Sequence, residues 1–264
     1  MPTRARLDAE LVRRGLARSR QQAAELIAAG LVDVRGVRAG KPATQVGRDT
    51  PVTVREAGGR DWASRGAHKL IGALDALDVP VAGRRCLDAG ASTGGFTDVL
   101  LDRGAAAVVA ADVGYGQLVW RLRSDERVTV LDRTNVRALE PTAVGGPVDL
   151  TVADLSFISL RTVLPALAAC TAPEGELLPM VKPQFEVGRT RLGAGGVVRD
   201  PALRLAALTE VVAAARAIGL VLRGATASPL PGPSGNVEFF LRLAHRGADT
   251  GDATLAAAVE EGPQ

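Results

Sequence analysis

Leu87-Asp88-Ala89-Gly90-Ala91-Ser92-Thr93-Gly94-Gly95-Phe96-Thr97-Asp98 reads as a strand that ends in a carboxylate, turns through glycines and opens a helix. Glycine lets a backbone approach a ligand closely, and a helix N-terminus offers N–H groups without intrahelical partners. The stretch is not a dinucleotide fingerprint, because Ser92 stands where the second glycine of GxGxxG belongs. Nor is it a Walker loop, since no Gly-Lys-Ser/Thr follows.

Around this stretch, strand-like and helix-like segments alternate. A helix is expected over Arg65–Leu77. Strands are expected at Arg85–Asp88, Ala106–Asp112, Val128–Leu131, Val148–Asp154 and Glu176–Lys182. This alternation predicts a doubly wound parallel sheet. The last two strands, Leu220–Ala225 and Val237–Leu243, are joined by a Pro/Gly-rich turn. A turn that short makes a hairpin, and therefore one antiparallel strand. The residues before this body read differently. Helices are expected at Leu7–Gly15 and, with Ser19 as N-cap and Gly30 as stop, up to Ala29. Short strands Leu31–Val34, Val37–Ala39 and Val52–Val54 follow, so the segment is a small α+β unit. The expected division is residues 1–59, a linker at 60–63 preceded by Gly58-Gly59, the larger body at 64–245, and a disordered tail at 246–264.

Charge is divided between the two parts. Met1 to Gly59 holds 11 basic and 6 acidic residues, whereas Arg60 onward holds 21 and 23. A basic module on a near-neutral body suggests a handle for a polyanion. With 3% aromatic residues, base stacking is not its main means of binding. Two isolated cysteines, Cys86 and Cys170, fit neither a disulfide framework nor a zinc site, so both read as core residues in a reduced, cytoplasmic setting. No signal-peptide core and no uninterrupted apolar run of spanning length is present. No membrane partner and no metal are expected, and the chain is expected to act as a monomer.

Further carboxylates end the later strands. Asp112 can accept hydrogen bonds from ribose hydroxyls, and Asp132 and Asn135 follow the third strand. Asp154 precedes Leu155-Ser156-Phe157. Lys182 ends the fifth strand and Glu238 lies in the last. Lysine is scarce here: of 32 basic residues only Lys41, Lys69 and Lys182 are lysine. Unlike arginine, lysine can release its proton when buried or beside another charge.

Several of these residues resemble known families. Arg6-Leu7-Asp8, Gly15, Ser19-Arg20, Ala23, Ile27 and Gly30–Gly36 resemble the S4-like RNA-binding domain. In that family such a face presents arginines to structured RNA, which implies Arg4, Arg6, Arg18, Arg20, Arg35 and Lys41 here. The 87–98 stretch resembles motif I of Rossmann-like, class I S-adenosylmethionine-dependent methyltransferases. The resemblance implies S-adenosyl-L-methionine as cofactor, held by Asp88, Gly90, Ser92, Thr93, Gly94, Gly95 and Phe96. It further assigns the ribose to Asp112 and the adenine to Asp132 and Asn135.

Lys69, Asp154, Lys182 and Glu238 resemble the tetrad of FtsJ-like ribose 2′-O-methyltransferases. The whole arrangement resembles the hemolysin-A/TlyA family of rRNA methyltransferases, which implies ribosomal RNA or ribosomal subunits as partner and cytidine ribose as target. The Leu-Ser-Phe run weakens a base-amine reading, which calls for Pro-Pro-aromatic after the acid. Neither cysteine is placed for carbon-5 pyrimidine chemistry. Arg65, and Arg189 and Arg191 in the Gly188–Gly196 loop, are further expected RNA contacts. A membrane-active hemolysin-like protein and a non-catalytic RNA-binding assembly factor are the competing classes.

Overall fold

The computed structural model describes residues 4–17, 19–48, 50–54, 60, 62–188, 191–232 and 234–262. Arg18 and Arg189, both expected RNA contacts, lie outside the described residues. The chain divides into two units, Met1–Asp61 and Trp62–Gln264.

In the first unit, α1 (Leu7–Arg13) and α2 (Arg20–Ala28) pack beside two small sheets. Ser19 caps α2, its Oγ accepting from Gln22 N, and Gly30 ends it at a positive φ of 68°. Of the expected strands, β2 (Val32–Val34) pairs with β3 (Val37–Arg38) and with β5 (Val52–Val54). Two further strands join the unit: β1 (Arg4–Arg6) lies antiparallel to β4 (Gln45–Gly47). Leu7, Leu11, Ala23, Ile27, Val32 and Val46 form the core.

The second unit opens with α3 (Gly66–Ala76) and is built on a seven-stranded sheet. Its strands are β6 (Arg85–Ala89), β7 (Ala107–Ala111), β8 (Val128–Leu131), β9 (Val148–Ala153), β10 (Thr171–Val181), β11 (Val221–Ala227) and β12 (Phe239–Ala244). Their spatial order is β11-β12-β10-β9-β6-β7-β8. β8, β7, β6, β9 and β10 run parallel, while β12 is antiparallel to both β10 and β11. The sheet reverses its winding between β6 and β9, the point where open α/β sheets bind ligands beyond the strand ends. Apolar residues from both sheet faces pack against helices α4 (Gly95–Asp102), α6 (Leu160–Cys170) and α8 (Pro201–Ala217).

Two expectations are corrected. The residues after His245 are not a disordered tail: Ala253–Glu261 form helix α9, which buries Leu255, Ala258 and Val259 in the core beside β11 and α8. The linker residues Trp62 and Ala63 belong to the second unit. Trp62 packs against its core, and Ala63 N donates to the buried Asp98 carboxylate at 3.0 Å.

Candidate active site

The parallel strands deliver their C-terminal ends to one edge of the sheet, and the antiparallel β12 begins at that same edge. Val181 pairs with Phe239, so Lys182, just past β10, and Glu238, just ahead of β12, leave the sheet side by side. Neither lies inside its strand, contrary to expectation, and Asp154 likewise follows β9.

The Gly-rich turn after β6 is shaped by contact with the turn after β9. Gly90 has a φ of +88°, and a Cβ there would lie 2.5 Å from the Asp154 carbonyl oxygen. Ser92, where a fingerprint glycine was missed in the sequence, also adopts a left-handed φ of 49°. Asp88 is fully buried and accepts from Thr97 N at 2.8 Å and Thr97 Oγ1 at 2.7 Å. Burial pushes its carboxyl up to about 7 against the pull of those hydrogen bonds. Its Oδ1 has no hydrogen-bond partner.

A cavity of about 260 Å³ opens over this turn, lined by Ser64, Arg65, Lys69, Gly90–Thr93, Phe96, Asp154, Leu230 and Pro231. Among the residues expected to hold a cofactor, Gly90, Ser92, Thr93, Gly95 and Phe96 line it directly. Asp88 and Gly94 do not line it: Asp88 braces the helix start through Thr97, and Gly94 turns against Leu118 and Leu122. Asp112 accepts from Ser92 N at 2.8 Å and Gly114 N at 2.7 Å, which fixes the loop after β7 to the motif. Asp132 accepts from Gly116 N and pairs with Arg123 at 3.0 Å. Asn135 caps the following turn by accepting from Arg137 N. A glycine cradle, an orphaned buried carboxylate oxygen and a carboxylate at each neighbouring strand end fit a nucleoside-bearing sulfonium cofactor.

The four charged groups expected to work together resolve into two ion pairs. Lys69 Nζ donates to Glu238 Oε2 at 2.5 Å. Lys182 Nζ lies 2.6 Å from Asp154 Oδ1 in an off-line contact and donates a hydrogen bond to Ser156 Oγ at 2.9 Å. Lys69, Lys182 and Glu238 are buried, and Asp154 is partly exposed to the cavity. Sequence reasoning missed Ser64, Ser156, Leu230 and Pro231. Ser156 had a signal, because it stands two residues after Asp154. Leu230 and Pro231 come from the β11–β12 turn and had none.

The expected RNA contacts are distributed. Arg6 and Arg20 share the carboxylate of Asp8, at 3.1 Å and 2.9 Å, while Arg4, Arg35 and Lys41 are exposed. Arg65 is exposed at the cavity mouth. Arg191 is held to Val187 O at 2.7 Å and to Glu210 at 3.2 Å. The described end of the glycine loop is also anchored, by buried Asn236 Nδ2 donating to Gly196 O at 3.0 Å.

Among the described residues, no group of three His, Cys, Asp or Glu side chains could hold a metal ion, and no helix is long and apolar enough to cross a membrane.

Fold and site define an FtsJ-like methyltransferase with an S4 domain. The FtsJ-like methyltransferase family model matches residues 62–245, and the S4 domain model matches residues 5–52. The chain is 65% identical, over 92% of its length and 91% of the relative's, to the 16S/23S rRNA (cytidine-2′-O)-methyltransferase TlyA of Mycobacterium tuberculosis. It is 35% identical to Hemolysin A of Brachyspira hyodysenteriae, over 91% of this chain and 98% of the relative. A solved structure described as a hemolysin, from Streptococcus thermophilus, superposes with a TM-score of 0.77 at 37% identity, covering 99% of this chain and 96% of its own. The chain belongs to the TlyA (hemolysin-A) family, within the FtsJ-like methyltransferases.

Proposed function

We propose that the protein methylates the ribose 2′-hydroxyl of a cytidine in ribosomal RNA, using S-adenosyl-L-methionine and acting as a monomer in the cytoplasm. The observation that carries this reading is that two lysine–carboxylate pairs meet a glycine-lined cavity through one member each, Lys69 and Asp154, with Lys182 and Glu238 directly behind them. The TlyA relative named for this reaction on both ribosomal RNAs supports the substrate class.

Bound S-adenosylmethionine supplies an electrophilic methyl group. The protein's part is to hold and deprotonate the acceptor. A ribose hydroxyl is a poor nucleophile until its proton leaves, and Lys182, once its ammonium has released a proton to solvent, is the group read as taking it. Asp154 and Ser156 fix the direction of its Nζ. Lys69 and Glu238 neutralise each other at the same edge. Base assistance of this kind contributes about 10²–10⁴ in rate, or roughly 3–5 kcal/mol. Arg4, Arg6, Arg20, Arg35 and Lys41 are read as the face that recruits folded RNA.

Incubation with methyl-labelled S-adenosylmethionine and unmodified small and large ribosomal subunits tests the reading. Digestion to nucleosides should return the label as 2′-O-methylcytidine. Label confined to a base contradicts it.

A further inference from the structure

Glu186 is a buried carboxylate, 2% exposed, that the proposed chemistry does not use. It lies on the short helix α7 (Pro183–Glu186), four residues beyond Lys182. Its Oε1 accepts from Leu160 N at 2.7 Å and its Oε2 from Ser159 Oγ at 2.6 Å. Arg161 closes the contact, with Nε 3.4 Å from the carboxylate and Nη2 donating to the Glu186 carbonyl at 3.2 Å. An anion on the first N–H of α6 is favoured by the unpaired donors and dipole of a helix N-terminus.

The position of this contact gives it a second consequence. Ser159 stands five residues after Asp154, so the loop 154–159 is fastened at its start by Asp154 N donating to Ala89 O at 3.0 Å. Glu186 fastens it at its end. Between the two, Ser156 receives Lys182, and the Phe157 ring meets Phe185 with centroids 5.3 Å apart. Phe157 holds a left-handed φ of 63° within this loop, a conformation that needs support from its surroundings. Both partners of the Lys182–Asp154 contact therefore sit on segments that Glu186 joins.

We propose that Glu186 is a positioning residue for methyl transfer, locking the loop after β9 to the segment after β10 and so fixing Lys182 against Asp154 and Ser156. The inference rests on the reading of Lys182 and Asp154 as the groups that serve the reacting hydroxyl.

The chain's three lysines make the test direct. Full-length protein labelled with ε-¹³C-lysine yields three assignable signals, with Lys182 identified through Lys182→Arg. Glu186→Ala should move the Lys182 signal toward that of exposed Lys41. The same variant should lower kcat for subunit methylation by about 10- to 100-fold, the scale of a small misplacement, while KM for S-adenosylmethionine changes by less than about twofold. Glu186→Gln should restore both readouts, since its amide accepts from Leu160 N and donates to Ser159 Oγ. Should Glu186→Ala fail to fold, Ser159→Ala removes one of the same hydrogen bonds and should shift both readouts in the same direction. An unmoved Lys182 signal in Glu186→Ala, or equal loss of kcat in the Ala and Gln variants, overturns the inference. Absence of ribose methylation by the unaltered protein would instead defeat the functional reading, and the lysine signals still decide the positioning.

Discussion

Lys69 Nζ and Glu238 Oε2 lie 2.5 Å apart across 169 positions of chain. The contact joins the first helix of the catalytic unit to the start of its one antiparallel strand. Lys69 is 8% exposed and Glu238 1%, so removing either partner strands a buried charge. Lys69→Met should destabilise the catalytic unit by about 3–5 kcal/mol. The double variant Lys69→Met/Glu238→Leu should recover most of that loss, yet remain inactive. Denaturant unfolding of the four proteins in the cycle, beside methylation assays, separates the two contributions.

Titration should act with opposite signs on individual carboxylates of the chain. In the first unit, hydrogen bonds from Arg6 hold the Asp8 carboxyl at about 2, and those from Arg13 hold Glu10 at about 2, below their ordinary values of 3.8 and 4.5. Their contribution is present above the unfolded values and lost as pH falls toward 2. Asp88 has the other sign, because burial raises it from 3.8 to about 7. Its contribution is full below the unfolded value and lost as pH rises through 7, amounting to at most about 4 kcal/mol. Between pH 5 and 8, Asp88→Asn should therefore gain stability relative to the unaltered chain. Melting temperatures across pH check both signs.

Both cysteines should be chemically silent in the folded protein. Cys86 and Cys170 are fully buried; burial pushes the Cys86 thiol up to about 12 and raises Cys170 as well. A thiolate is the reactive form. Native protein treated with iodoacetamide should show no mass increase and keep its activity, while both thiols should react in denaturant.

Recruitment should depend on charge in the first unit. Arg35 and Lys41 are exposed, whereas Arg6 and Arg20 are engaged by Asp8. Arg35→Gln/Lys41→Gln should weaken RNA binding and flatten its dependence on log salt by about 1.4–1.8, one phosphate contact per residue. Affinity for S-adenosylmethionine should not change. Filter binding across a salt series measures the slope.

Much of the catalytic unit was legible because its punctuation is chemical. The acid-glycine run at 88–95 marked the strand end and helix start, and the short Pro/Gly turn near 231–235 marked the hairpin that carries Glu238 to the site. The pairing of charges was not legible. The resemblance to the FtsJ-like tetrad grouped Lys69, Asp154, Lys182 and Glu238, but the register of Val181 with Phe239, which brings Lys182 beside Glu238, has no local signal. β1 and β4 escaped notice because each has three residues and its partner lies about forty positions away. Helix α9 was obscured by the Gly, Asp and Thr residues preceding it, although Leu255, Ala258 and Val259 carry helical spacing. Contacts such as Ser156 with Lys182 and Glu186 with Ser159 join side chains from separate strand ends, and no local pattern encodes them.

Deprotonation of a ribose hydroxyl in ribosomal RNA is the role proposed for Lys182. Its most direct test is single-turnover methylation of unmodified ribosomal subunits by the unaltered protein and by Lys182→Ala, read by mass spectrometry of nucleosides. The expected result is 2′-O-methylcytidine from the unaltered protein and a rate lower by about 10²-fold or more with Lys182→Ala, with S-adenosylmethionine binding intact by calorimetry. Methylation at a base, or an undiminished rate in Lys182→Ala, would contradict it.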